Sequence, residues 1–214
     1  MWNVTYKTGT DNFGSPIHTT QYKHLFSNGP FENAEFPDYR FADHFKEGVS
    51  SFPSGEKIYS YLKGRYSYPE LQTKINLNTN VNRVKYDRDK RLFRVSTQAY
   101  NEEMNALSEI RHSHFDKVIV ANGHFCYPNN INIPGAENFT GRILHSGSFR
   151  NPEEFRNQRV LIIGSSYSAE DIGVQCYKYG CEHVYLSYRD NLTESFKIFN
   201  VLTLSRSAKS FSFL

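Results

Sequence analysis

The run Val160-Leu161-Ile162-Ile163, followed at once by Gly164, constrains this chain more than any other feature. Four apolar residues, three of them β-branched, have the composition of a strand buried on both faces. Gly164, Ser165 and Ser166 then give a stretch of small side chains, after which Ala169, Ile172 and Gly173 fall at helical spacing. Glu170 and Asp171 lie in the first turn of that helix, where acidic side chains suit the dipole. Strand, glycine turn and helix N-terminus together make the corner that holds a dinucleotide pyrophosphate. Helix-end N–H groups point at the phosphates there, and small residues let the backbone come close. Against the pattern G-x-G-x-x-G/A, Gly164 takes the first position, Ser166 the second and Ala169 the third. The alternative is an ordinary parallel-strand connection without a ligand. Cys181 to Tyr188 reads as the next strand of the same half-fold, and Arg189 stands at its end. An Arg at that point suits a ribose 2′-phosphate, hence NADP over NAD. The other reading is a surface Arg after a strand.

The remainder of the chain is less regular. Residues 1 to 60 are rich in aromatics, Gly, Pro and His, with a turn at Ser27-Asn28-Gly29-Pro30. They suit a wall held together by large side chains better than a free-standing domain. Ser54 is the expected N-cap of a helix whose apolar face carries Ile58, Tyr61 and Leu62. Strands are expected over 75–77 and 81–86, with a turn at 87–90 and a hairpin partner over 92–95. Residues 98 to 113 are polar and read as an exposed loop. Phe115 to Ala121 reads as another buried strand, ending at Asn122-Gly123-His124. Beyond Asn191 the pattern decays, and 204–214 reads as a frayed tail.

Composition narrows the classes further. A chain of 214 residues holds one large or two small domains, and its 17 Phe and 15 Tyr supply much of the expected core. The net charge of +3 comes from scattered Lys and Arg, which points away from nucleic acid as a partner. Cys126, Cys176 and Cys181 form no C-x-x-C, so neither a disulfide framework nor a zinc or other metal site is expected, and a reducing compartment is the simpler setting. The opening Met1-Trp2-Asn3-Val4-Thr5-Tyr6 lacks the apolar core of a signal peptide, and no apolar run is long enough to span a membrane.

Several stretches together resemble the flavin-containing monooxygenases. Phe139-x-Gly141-x-x-x-His145-x-x-x-Phe149 is similar to that family's identifying motif F-x-G-x-x-x-H-x-x-x-Y/F and sits just ahead of the glycine turn. Ser168-Ala169-Glu170-Asp171-Ile172 resembles the family's continuation of the turn. Val118 to Phe125 resembles the strand and turn ending in A/C-T/N-G-H-Y/F. Tyr22-x-x-Leu25-x-Ser27-Asn28-x-Pro30 is similar to the T-N-x-P segment, Ser51-Phe52-Pro53 to the S-F-P after it, and Trp2 to a Trp near the FAD-ribose segment. The likeness covers roughly residues 2 to 190.

The resemblance implies an incomplete two-dinucleotide-binding α/β flavoprotein of Rossmann-like type. Residues 1–150 would be the remainder of the FAD-binding domain. Residues 151–214 would be the first part of the NADPH-binding domain, with a divergent tail over 191–214. The implied activity is an FAD- and NADPH-dependent monooxygenase of the N,N-dimethylaniline type. It oxygenates small soft N or S nucleophiles with molecular oxygen through a hydroperoxyflavin. Gly164, Ser165, Ser166, Ser168 and Ala169 would line the NADPH pyrophosphate and Arg189 the 2′-phosphate. Asn28 would be the catalytic amide beside the flavin. Phe139, Gly141, His145 and Phe149 would be mainly structural, with Gly141 in a tight turn. The family's first glycine motif and its C-terminal half are not matched, which reads as an internal segment. The alternative is an inactive remnant or an interaction fragment. A cytoplasmic or endoplasmic-reticulum-associated location fits the family.

Overall fold

The computed structural model describes residues 5–123 and 125–187, and 202–204 as backbone strand. Trp2, His124 and Arg189 lie outside the described residues. Two compact units divide the chain. One is drawn from 8–18 and 28–126, the other from 1–7, 19–27 and 127–214.

The first unit is built around an antiparallel sheet. Before it come three helices: α1 (Phe41–His44), α2 (Gly55–Tyr66) and α3 (Pro69–Gln72). Ser54 caps α2 as expected, its side chain accepting the Lys57 N–H. The apolar face of α2 buries Tyr61 against Tyr39 and Phe41, with the Phe41 and Tyr61 ring centroids 4.1 Å apart. Tyr61 Oη donates to the Tyr39 carbonyl and accepts the Phe36 N–H at 2.8 Å. Large aromatics therefore hold 31–62 together, each polar tip finding a partner.

The strands are β1 (Thr79–Asp87), β2 (Leu92–Asn101), β3 (Ala106–Leu107) and β4 (Arg111–Phe115). Strand β2 is central, pairing antiparallel with β1 (Val84↔Val95) and with β4 (Val95↔Ser113). The expected turn over 87–90 joins β1 to β2. Asp87 Oδ1 accepts the N–H groups of Asp89 and Lys90 at 3.1 Å each. Those bonds, Lys90's first, hold the Asp87 carboxyl below its usual range.

The second unit holds the parallel sheet. Strand β5 (Arg159–Ile163) leads through Gly164 into α4 (Tyr167–Lys178), which returns to β6 (His183–Ser187); β7 (Leu202–Leu204) lies beyond. The order is β5-β6-β7, all parallel, with Val160↔Val184 and Val184↔Leu202 in register. Parallel neighbours joined through a helix are the βαβ unit that the apolar run demands. Helix α4 buries Ala169, Ile172, Gly173 and Cys176, the i, i+3, i+4, i+7 face of an amphipathic helix. Gly173 allows close packing, since a Cβ there would meet Ile162 Cδ1 at 3.3 Å and Val184 Cγ1 at 3.6 Å.

Four expectations change. Residues 75–77 form no strand, and Ile75 and Leu77 are exposed. Residues 98–113 are largely not loop: β2 runs to Asn101, and β3 and most of β4 follow. Their side chains are polar because the sheet faces solvent there, and backbone pairing rather than burial makes the strands. The segment 116–121 is not strand either. Ile119 is 91% exposed and Val120 79%, and no strand lies beside them among the described residues, so their β-branched composition has nothing to pair with. Lastly, β7 falls inside the stretch expected to diverge. It adds a third strand to the two read from the sequence at 160–163 and 181–188.

Candidate functional site

The corner after β5 has the backbone that its sequence requires. Gly164 takes φ +129°, a region essentially closed to other residues, and a Cβ there would meet nothing within 4 Å. Its N–H donates to the Ser187 carbonyl at 2.8 Å, which ties the turn to the end of β6. Ser166 is the N-cap of α4 in extended backbone and makes no side-chain cap bond. Its carbonyl accepts the N–H groups of Ala169 at 2.8 Å and Glu170 at 3.1 Å. The open first turn of a twelve-residue helix thus faces outward without a side-chain cap.

A cavity of about 320 Å³ opens against this turn. One wall is Gly164, Ser165, Ser166, Ser168 and Ala169; a second is Ile143, Leu144, His145, Ser146 and Phe149; a third is Asn129, Asn130, Ile131 and Ile133. Its size lies in the range of cofactor sites. Beside His145, the donors are serine hydroxyls, asparagine amides and helix-end N–H groups. Such a set suits an anion whose charge the helix dipole complements.

The five corner residues expected to act together, Gly164, Ser165, Ser166, Ser168 and Ala169, therefore line one space, with His145 and Phe149 of the Phe139–Phe149 motif. Phe149 is fully buried, edge-on to Tyr22 and stacked on Phe155. His145 Nδ1 accepts the Gly147 N–H at 3.0 Å and so caps the short 3₁₀ turn Ser146–Ser148. Phe139 ends the 3₁₀ turn Ala136–Asn138. Gly141 sits at a bend and is not among the glycines with positive φ, so the tight turn expected there does not need glycine's freedom. Asn28 is exposed in the Ser27-Asn28-Gly29-Pro30 bend, and belongs to the other unit. Arg189 lies outside the described residues.

Three contributions escaped the sequence reading, which held Tyr22 only as part of the T-N-x-P segment. Asn129 to Ile133 carries no periodic signal, being an irregular stretch bounded by prolines. Arg150 is buried, and its guanidinium donates to the carbonyls of Lys7, Thr19, Gly147 and Phe149 at 2.7–3.2 Å. Burial lowers its pKa from the ordinary value. Tyr22 Oη donates to Asp171 Oδ2 on α4, and burial first, then the carboxylate, pushes the phenol well above its usual range. No sequence pattern flags a contact across 149 residues.

A parallel βαβ corner with an open helix end and an adjoining cavity defines the class, a dinucleotide-binding α/β protein. Comparison with known proteins names the family. The sequence model described as "FMO-like: Flavin-binding monooxygenase-like" matches residues 11–196, and the chain belongs to that family. It is 44% identical over 191 residues to a trimethylamine monooxygenase of Pelagibacter ubique (strain HTCC1002), which covers 89% of this chain and 42% of the relative. Among solved structures, Tmm from Pelagibacter sp. strain HTCC7211 superposes with a TM-score of 0.85 at 37% identity, over 99% of this chain and 46% of that one. S-allyl-L-cysteine S-oxygenase from Allium sativum does so at 0.75 and 27% identity, over 95% and 46%. The chain thus spans about two fifths of the length of the curated relatives it matches. Membership bears out the Rossmann-like flavoprotein fold and, for the family, an oxidoreductase of flavin-binding monooxygenase type. No helix among the described residues is long and apolar enough to cross a membrane.

Proposed function

We propose that this chain forms part of an FAD- and NADPH-dependent monooxygenase that oxygenates small soft N or S nucleophiles, of which dimethylaniline-type amines are one class. Its own clearest share is the NADPH corner. The observation that carries this reading is the 320 Å³ cavity lying against the uncapped first turn of α4. When bound, FAD and NADPH supply the reducing equivalents and the activation of molecular oxygen.

The chain's residues bind and orient. Gly164, Ser165 and Ala169 keep the backbone accessible to a pyrophosphate. Ser166 and Ser168 add hydroxyl donors. Ile131, Ile133, Ile143 and Ile162 give the cavity an apolar wall. We assign Arg189 to the 2′-phosphate and Asn28 to hydrogen bonding at the flavin, where an amide donates and accepts without changing charge. Residues 1–150 belong to the FAD side and 151–214 to the NADPH side. Residues 1–7, 19–27 and 127–150 pack in the same unit as the NADPH corner.

The test is calorimetric titration of the purified chain with NADP⁺ and with NAD⁺. Saturable NADP⁺ binding is expected. Ser166→Asp, which sets a carboxylate against the phosphates, should weaken it about tenfold or more, roughly 1.4 kcal/mol. Arg189→Ala should narrow the preference for NADP⁺. Absence of saturable binding by either nucleotide would favour the inactive-remnant reading.

A further inference from the structure

The far end of α4 carries separate chemistry. Gly180 takes φ +96°, its N–H bonds to the Tyr177 carbonyl at 3.1 Å, and the Cys181 N–H bonds to the Cys176 carbonyl at 3.0 Å. These two bonds are the Schellman finish, in which the residue after the left-handed glycine packs against the one five positions before it. Two apolar side chains usually make that contact. Here both are cysteines, fully buried at Cys176 and 8% exposed at Cys181. Both belong to one buried core cluster, and the Cys181 S–H donates to the Phe155 carbonyl at 3.1 Å. Interaction with Cys176 holds the Cys181 thiol below its ordinary pKa, while that interaction and burial raise that of Cys176. Cys181 is thus the readier nucleophile, and its partner is held one backbone hydrogen bond away.

We propose that Cys176 and Cys181 are an oxidative modification site, a dithiol that a small peroxide closes to a disulfide across the C-terminal cap of α4. The Cys181 thiolate attacks one oxygen of hydrogen peroxide, the O–O bond breaks, and water leaves once the released hydroxide takes a proton. The resulting sulfenic acid is then attacked by the Cys176 sulfur. The S–S bond forms, the S–O bond breaks, and a second water leaves. Two thiols lose two hydrogens, and the peroxide is reduced to two waters. A disulfide joins Cα atoms roughly 4.4–6.8 Å apart. The backbone bond between these same residues keeps them neighbours, so closure asks only for local adjustment. The inference is independent of the cofactor reading.

The test treats the full native chain with hydrogen peroxide, alkylates the remaining thiols, and maps peptides by mass spectrometry. The expected product is a Cys176–Cys181 linked species lighter by two hydrogens, opened by dithiothreitol, with Cys126 still alkylated. In Cys176→Ala, which lacks the resolving sulfur, dimedone should trap a sulfenic acid at Cys181. The wild-type map decides even if that variant folds poorly. Oxidation of Cys126 with the pair left as thiols, or sulfinic acid at Cys181 with Cys176 untouched, would overturn the proposal.

Discussion

Arg150 shows how much one side chain organises when it is buried without a carboxylate. Its guanidinium satisfies four backbone carbonyls from three stretches of chain: Lys7, Thr19 and the pair Gly147 and Phe149. Carbonyls stripped of a donor each cost about 1–3 kcal/mol when buried. Arg150→Met should therefore lower stability by roughly 3 kcal/mol or more in a denaturant titration, whereas truncating the exposed Arg88 should leave it unchanged. Tyr22 makes a second long-range tie, to Asp171. Hydrogen bonds to charged groups contribute about 1.5–3 kcal/mol, which is the loss expected for Tyr22→Phe. The pH dependence has a definite sign. Folding raises the phenol's pKa, so its contribution is complete below the unfolded tyrosine value of about 10. It is lost as pH climbs toward the folded value. Stability of the native sequence should thus fall more steeply above pH 10 than that of the phenylalanine variant.

At the scale of elements, legibility followed burial. Strand β5, helix α4 and strand β6 were readable because an apolar run, a glycine and a helical face each demand one local structure. The cap at Ser54 and the hairpin turn at Asp87 were readable because their bonds are local. The strands over 106–115 were not, since cross-strand pairing forms them and their polar side chains carry no alternating signal. The reverse error occurred at 116–121, where β-branched composition stands without a neighbouring strand. At the candidate site Gly164, Ser166 and Ala169 were legible from spacing, while Ser165 and Ser168 entered with the family resemblance. The Asn129–Ile133 wall was not, because tertiary placement alone makes it a wall. Ile172, 4% exposed on the inner face of α4, tests the packing argument. Ile172→Ala should cost about 2–5 kcal/mol, read as a lower denaturant midpoint with an unchanged slope.

For the molecule as a whole, exposed apolar surface is the main liability. Ile119 and Val120 have the composition of a buried strand yet stand open to solvent, and unpaired apolar backbone of this kind templates self-association. The chain should scatter light increasingly with concentration. The double variant Ile119→Lys with Val120→Lys should suppress that scattering while changing folding stability by less than about 0.5 kcal/mol. Sequence separation within the parallel unit matters in another way. Tyr22 reaches Asp171 across 149 residues. Translation proceeds at about 5–20 residues per second, so a nascent chain holds its Tyr22 strap for roughly 7–30 s before the helix that receives it has been made. Through that interval the strap waits as an aromatic segment without its dock, and the corner can close only after synthesis has passed β6.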